Sequence, residues 1–345
     1  MPTSPVSFKP KQVVKRLLTS LPDRAHEIIV YRYGLGKDEK HMTLDGIGKK
    51  YGITRERVRQ IENYALGLIR KSDEYKAEKA AFAEIETLLH ALGGMVVEDD
   101  FLGTISKDKS LQNHIHFLLT IGEPFKKRKE DDNFRHRWHA NEDLAKKVED
   151  ALHKLYGNLS AEDLLPESEM VNRLLQHLEE VSEKYKNQEI MRRWLSISKK
   201  IGKNALGDWG ANHSSNIHTK GVRDYAFLVI RKHGSPIHFR DVAKQIEKLF
   251  NKKAHVATTH NELIKDKRFV LVGRGLYALA EWGYAQGVVR DVIKSVLVKN
   301  GPMTKEDVVT KVMKERYVKE NTIAVNLQNP KHFKRDSSGK YSVVV

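Results

Sequence analysis

Arg55, Glu56, Arg59 and Gln60 fall close together in the run TRERVRQIENYALGLIRK, residues 54–71. In a major groove these residue types have matching partners. Arginine suits the acceptor edge of guanine, glutamate can accept from the cytosine amino group, and glutamine suits adenine. A plainer use is also open: Glu56 and Arg59 are three residues apart and can pair on a solvated helix face. Which use applies depends on the element that carries them.

That element reads as the second helix of a helix-turn-helix. Thr43 can cap a short helix over 44–50, whose Leu44 and Ile47 face inward. Gly52 stands where the chain must turn sharply. Thr54 can cap the next helix, with Ile53 and Val58 at the positions of a hydrophobic staple. Val58, Ile61, Ala65, Leu68 and Ile69 then form one apolar stripe. The charged residues lie opposite, at the N-terminal end, where recognition helices contact base edges. Upstream, Val13, Val14, Leu17, Leu18, Ala25, Ile28 and Ile29 keep helical spacing on either side of TSLPD.

The run resembles region 4 of the sigma-70 family of transcription initiation factors. The residues that carry this are RAHEIIVYRYGL and TLDGIGKKYGITRERVRQIENYALGLIRK, over about residues 12–72. The resemblance implies recognition of a minus-thirty-five-type promoter element. Arg55, Glu56 and Gln60 would meet base edges, and Arg59 would meet bases or phosphate. Arg57 would serve backbone contact or packing, and Thr54 and Lys49 are counted with the DNA-binding set. It also implies docking on the β flap of RNA polymerase. About ten residues precede the module, and no later segment resembles the aromatic-rich helices that capture the melted minus-ten strand. The expectation is a promoter reader that lacks the minus-ten-melting region.

The whole chain has 345 residues, no cysteine, and a formal net charge of +16. A balance that basic points to a polyanion, through attraction and counterion release. The charge is uneven. Residues 1–75 hold 15 Lys+Arg against 9 Asp+Glu, residues 76–215 hold 21 against 24, and residues 216–345 hold 25 against 12. Without cysteine there are no disulfides and no thiol nucleophile. No apolar run approaches the ~20 residues of a membrane span, and MPTSPVSFKPKQVVKRLL lacks the apolar core of a signal peptide. A cytoplasmic protein is expected.

The tail repeats itself. Asp224/Asp291 and Gly234/Gly301 are offset by 67, while Thr258/Thr322, Leu263/Leu327, Phe269/Phe333 and Tyr277/Tyr341 are offset by 64. A constant offset broken by one small deletion marks a duplication. Each copy reads helix, turn, helix, helix, β-hairpin, the order of a winged helix. GSPIHFRDVAKQI and THNELIKDKRFVLVGRGLYAL in the first copy (221–284) resemble the HARE-HTH domain, a winged-helix family. That resemblance implies nucleic-acid or polymerase association. His255, Thr258, Thr259, His260 and Asn261 fall at or near the start of the third helix, where a groove would meet them; local capping is the other reading for His260 and Asn261. Lys265, Lys267, Arg268 and Arg274 are candidate phosphate contacts. GRGLYAL follows a strand but precedes another, so it is a wing turn rather than a nucleotide loop.

The middle is less patterned. FAEIETLLHALGGMVVEDDFLGTI, LQNHIHFLLTIG and EPFKKRKEDDNFRHRWHAN suggest a further winged helix. EDLAKKVEDALHKLYGNLSAEDLL restarts a similar order, and NALGDWGANHSSNIHTKG (204–221) reads as a connector. Trp194 and Trp209 read as core. His114, His116, His136 and His139 cluster in sequence, but without cysteine or well-spaced acids no metal site is expected. The acidic runs at 98–100 and 130–132 read as solvated turns rather than a nuclease centre, and no catalytic template is met.

The expected fold class is mainly α: a multi-domain array of helix-turn-helix and winged-helix modules with small β-hairpin wings. The expected domains are 1–75, 76–145, 146–215, 216–284 and 285–345. The expected function is a bacterial DNA-binding transcription factor, not an enzyme and without cofactor, whose partners are double-stranded DNA and RNA polymerase. The alternatives are a polymerase-interacting accessory or scaffold protein, or a sensor of modified DNA in defence or repair.

Overall fold

Two capped helix starts and two glycines shape the head. In the computed structural model, which describes residues 5–178, 181–284, 287–316 and 318–344, the head comprises α1 (Pro10–Leu18), α2 (Asp23–Tyr33), α3 (Leu44–Tyr51) and α4 (Arg55–Lys71). The Thr43 hydroxyl accepts from Gly46 N at 3.0 Å and the Thr54 hydroxyl from Arg57 N at 3.1 Å. Each satisfies an N–H that the first helical turn leaves unpaired. Gly52 closes α3 at φ +64°, a conformation L side chains rarely take. A Cβ on Gly48 would stand 2.6 Å from the Ile53 carbonyl oxygen. Glycine there lets α3 and α4 meet at a tight angle.

Below the head, one order of elements recurs four times. The first copy is α5 (Asp73–Ala77) leading into α6 (Lys79–Ala91), β1 (Met95–Val97), α7 (Glu98–Ile105), α8 (Lys109–Ile121), β2 (Lys126–Arg128) and β3 (Arg137–His139). The second is α9 (Glu142–Gly157), an extended Leu165, α10 (Glu167–Leu175), α11 (Gln188–Ile197), β4 (Ile201–Lys203) and β5 (Trp209–Ala211). The third is α12 (Val222–His233), β6 (Ile237–His238), α13 (Phe239–Phe250), α14 (Val256–Lys265), β7 (Phe269–Gly273) and β8 (Leu276–Leu279). The fourth is α15 (Val289–Asn300), an extended Met303, α16 (Lys305–Glu315), α17 (Glu320–Leu327), β9 (Phe333–Arg335) and β10 (Tyr341–Val343).

In every copy the short extended segment pairs antiparallel with the second hairpin strand. Val96 faces Trp138, Leu165 bridges Trp209, Ile237 faces Tyr277 and Met303 bridges Tyr341. The protein is therefore mainly α, with its strands confined to small antiparallel groups. The expected connector at 204–221 differs: Trp209–Ala211 is a buried strand, because Trp209 fills the core of the second copy. Trp194 is fully buried in the same core. The expected boundary at 285 lies outside the described residues. No helix among the described residues is long and apolar enough to cross a membrane.

The chain divides into two units, Met1–Lys203 with Trp209–Asn212, and Asn204–Asp208 with His213–Val345. In the first, a small cluster of Ile28, Ile47 and Val58 belongs to the head alone. Val13, Val14, Leu17, Leu18, Ile29, Tyr33, Ala65 and Ile69 of the head share one continuous cluster with Phe82, Ile85, Leu89, Phe101, Phe117 and Leu118. Polar ties cross the same seam. The Asn113 amide donates to the carbonyls of Gly34 (3.0 Å) and Glu39 (2.9 Å), and its oxygen meets His41 Nε2 at 2.8 Å. Arg70 donates to the carbonyls of Thr120 and Ile121 at 2.9 and 3.0 Å. A second shared cluster joins Met95, Val97 and Phe134 of the first copy to the second.

The four central histidines have separate environments. Buried His114 bonds the Ser110 carbonyl, His136 is exposed and accepts from Glu130 N, and buried His139 lies 3.3 Å from Glu142. His116 lies at the seam, 3.5 Å from Glu98, which also holds Lys127 (2.5 Å) and Trp138 Nε1 (2.7 Å). Burial lowers the His116 pKa to about 4. Glu98 opposes this, and Lys127, His41 and Arg32 act with it. In the unfolded chain this histidine takes up its proton near pH 6.5, but in the folded chain only near 4. The unfolded state therefore binds more protons between those values, and stability falls as pH falls through that window. The melting temperature is expected to drop more steeply there for the wild type than for His116→Gln. Equal slopes would contradict the assignment.

Candidate nucleic-acid interface

α4 buries Val58, Ala65 and Ile69 and turns its other side outward. The buried carboxylate Glu62 fixes its rotation, accepting from the Tyr33 hydroxyl at 3.0 Å and from Arg32 Nε at 3.3 Å. With that side pinned to α2, Arg55, Glu56, Arg57, Arg59 and Gln60 are all exposed, beside exposed Thr54 and Lys49. The structure thus brings together the seven head residues singled out from sequence.

They are not equally free. Glu56 takes both arms of Arg59, at 2.9 and 2.6 Å, and Arg59 holds the Glu56 carboxyl below its ordinary pKa. Arg57 Nη1 donates to Gln60 Oε1 at 3.1 Å. Lys49 pairs with Asp45 at 2.9 Å. The Arg55 side chain has no hydrogen bond or ion pair among the described residues. Exposed pairs of this kind are screened by solvent and contribute little, so a base edge or phosphate can displace them cheaply.

The third copy is arranged differently from the sequence expectation. Thr258, Asn261 and Lys265 are exposed on α14, Lys267 is exposed just after it, and Arg274 is exposed in the turn between β7 and β8. Thr259 is 0% exposed and its hydroxyl donates to the His255 carbonyl at 3.0 Å, so it packs inward and cannot meet a groove. His260 is half-buried and stacked on Phe239, 4.2 Å between centroids at 20°. Arg268 is committed internally, donating to Asp266 (2.7 Å) and Asp224 (3.0 Å), and these bonds outweigh burial to raise its pKa. It is a structural tie rather than a phosphate contact.

Asn113 is a residue the sequence reading passed over. Its side chain closes the 34–41 turn that leads into α3, and so helps aim the two-helix unit. The signal available was a lone amide inside the apolar run LQNHIHFLL.

Residues 17–71 match the family model described as Sigma-70, region 4, a slightly shorter span than the 12–72 read from sequence. The chain is 46% identical over 57 residues to RNA polymerase sigma factor RpoS of Coxiella burnetii, covering 16% of this chain and 16% of that one. It is 47% identical over 73 residues to RNA polymerase principal sigma factor HrdD of Streptomyces griseus, 19% and 21% of the two chains. It is 43% identical over 60 residues to RNA polymerase sigma factor RpoD of Helicobacter pylori, 17% and 9%. The chain therefore spans about a fifth or less of the length of the curated relatives it matches. Over residues 17–71 this protein is similar to region 4 of the sigma-70 factors.

Proposed function

We propose that this protein is a DNA-binding transcription factor whose α4 reads a promoter element of the minus-thirty-five type. The observation that carries the reading is the exposed row Arg55, Glu56, Arg59 and Gln60 on a helix whose rotation is locked by Glu62, in a domain similar to region 4 of sigma factors. Arg55 and Gln60 would contact bases, Glu56 would accept from cytosine once Arg59 turns to phosphate, and Lys49, Thr54 and Arg57 would serve the backbone. The four recurring units would be winged-helix modules, the third of HARE-HTH type. Its Thr258, Asn261, Lys265 and Arg274 would add DNA contacts, with His260 a packing residue at the rim. The head would associate with RNA polymerase through the β flap.

On a selected duplex, Arg55→Ala is expected to lose ~1–3 kcal/mol of binding and to relax one base position. Affinity for unrelated duplex should change little. Equal weakening on every sequence would make Arg55 a backbone contact and remove the base-reading claim.

A second reading has its own support. The Glu56–Arg59 and Arg57–Gln60 pairs satisfy most of this face in the free protein, as a polymerase-docking scaffold with incidental DNA contact would allow. Capture by the β flap with and without DNA separates the two.

A further inference from the structure

The duplication allows position-by-position comparison of the last two copies. At the 67 and 64 offsets, Arg223 and Asp224 of the third copy correspond to Arg290 and Asp291, Phe227 to Lys294, Asp266 to Pro330 and Arg268 to His332. In the third copy these positions make a closed cluster. Arg268 sits between two carboxylates and over the Phe227 ring, 5.2 Å from its centroid. In the fourth, one carboxylate is replaced by proline and the aromatic by lysine. Arg290 Nη1 then lies 3.4 Å from His332 Nε2, with Asp291 at 3.3 Å from Arg290 Nε.

The hairpins diverge the same way. Val270 and Leu276 of the third copy belong to an apolar cluster with Val272 and Ala278. Their counterparts are Lys334 and Lys340. Phe333, Tyr341 and Val343 pack into the core of the fourth copy. Lys334 is paired in register with Ser342, at the alternate positions that face away. Lys331, Lys334 and Lys340 are exposed, and none has a side-chain ion pair among the described residues. The acid at the hairpin tip, Asp336, is occupied by its own turn, accepting from Ser338 N, Ser338 Oγ and Lys340 N.

We propose that the fourth copy carries a phosphate-binding surface of its own, formed by Arg290, Lys294 and Lys331 at the hairpin base and Lys334 and Lys340 on its outer face, and that its ligand is the backbone of duplex DNA. His332 sits among the same groups: its pKa is lowered first by desolvation, then by Arg290, Lys294 and Lys331, with Asp291 opposing. Four lysines and an arginine gathered around one carboxylate, Asp291, repel one another, and a polyanion relieves that repulsion while releasing counterions. A row of lysines on a hairpin face carries no base-edge pattern, so the contact is independent of sequence.

The inference rests on the reading of the tail as nucleic-acid-facing, but not on α4 reading sequence. The test uses the full chain and a labelled duplex of arbitrary sequence, titrated over a range of salt concentrations. The triple variant Lys331→Ala, Lys334→Ala, Lys340→Ala is expected to lose about tenfold or more in affinity and to flatten the salt slope by about 3, near 0.9 per phosphate contact. A triple Lys→Arg variant should retain both. The side chains are exposed, so the thermal melt should not move. A parallel arm carries Lys265→Ala and Arg274→Ala in the third copy. If only that arm flattens the slope, the fourth-copy surface is refuted while the tail reading stands. If neither arm does, or the wild type ignores generic duplex, both are refuted.

Discussion

Phe117→Ala is expected to destabilise the first unit by ~3–5 kcal/mol, the usual range for emptying a fully buried phenylalanine site. Phe117 is on α8, has no exposed surface and packs edge-on against Tyr33 of α2, 5.1 Å between ring centroids at 66°. The position of the loss matters as much as its size. Because α8 and the head share one hydrophobic cluster, the cavity weakens the head although residue 117 lies outside it. Hydrogen exchange should therefore speed up in α4 as well as in α8. Unchanged protection in residues 55–71 would mean that the head folds on its own and that the shared core is wrong. A weakened head should also bind DNA less well, by lowering the folded fraction rather than by touching the interface.

Glu149→Ala is expected to cost a similar ~3–5 kcal/mol, for an electrostatic reason. The Arg137 side chain is only 4% exposed. Its Nε donates to Glu149 at 2.6 Å, its Nη1 to the carbonyls of Lys129 and Arg135, and its Nη2 reaches Asp131 at 3.4 Å. Glu149 also receives Arg128. Removing Glu149 leaves the buried guanidinium with Asp131, at 3.4 Å and half-exposed, as its remaining acid partner. The exposed pair Glu56–Arg59 provides the contrast: Glu56→Ala should leave stability nearly unchanged, because solvent screens the pair. Urea unfolding of both variants decides this, and a loss below ~1 kcal/mol for Glu149→Ala would show that solvent reaches Arg137 and screens it.

The head was readable because its determinants are local. Thr43, Gly52, Thr54 and the Val58–Ile69 stripe each act within one or two helical turns, and caps and spacing announce them. The tail duplication was readable because its offsets are constant over both copies. The second copy in the middle hid itself: its extended segment is a single bridge at Leu165, and its last strand lies in a Gly/Asn/Ser-rich stretch with the bearing of a linker. The seam could not be read either. Ile115, Phe117, Leu118, Leu119 and Ile121 leave α8 almost no polar face, which says that it is buried but not against what. Thr259 was misplaced for a related reason. A threonine near a helix start serves equally to cap, to read or to pack, and only the rotation of α14 against its neighbours selects packing.

The site itself was legible as a set of residues but not as a state. Sequence spacing offered both a base-reading row and an intrahelical pair for Glu56 and Arg59, and in the free protein the pair forms. Base reading then requires the pair to open on DNA, at a cost that solvent screening of an exposed i,i+3 contact keeps small. Selection of binding sites from random duplexes by the full chain, repeated with Arg55→Ala, examines that step directly. The base-reading account predicts a short, directional motif for the wild type and the loss of information at one position for the variant. A wild type that enriches no motif, or a variant that enriches the same one, would contradict it.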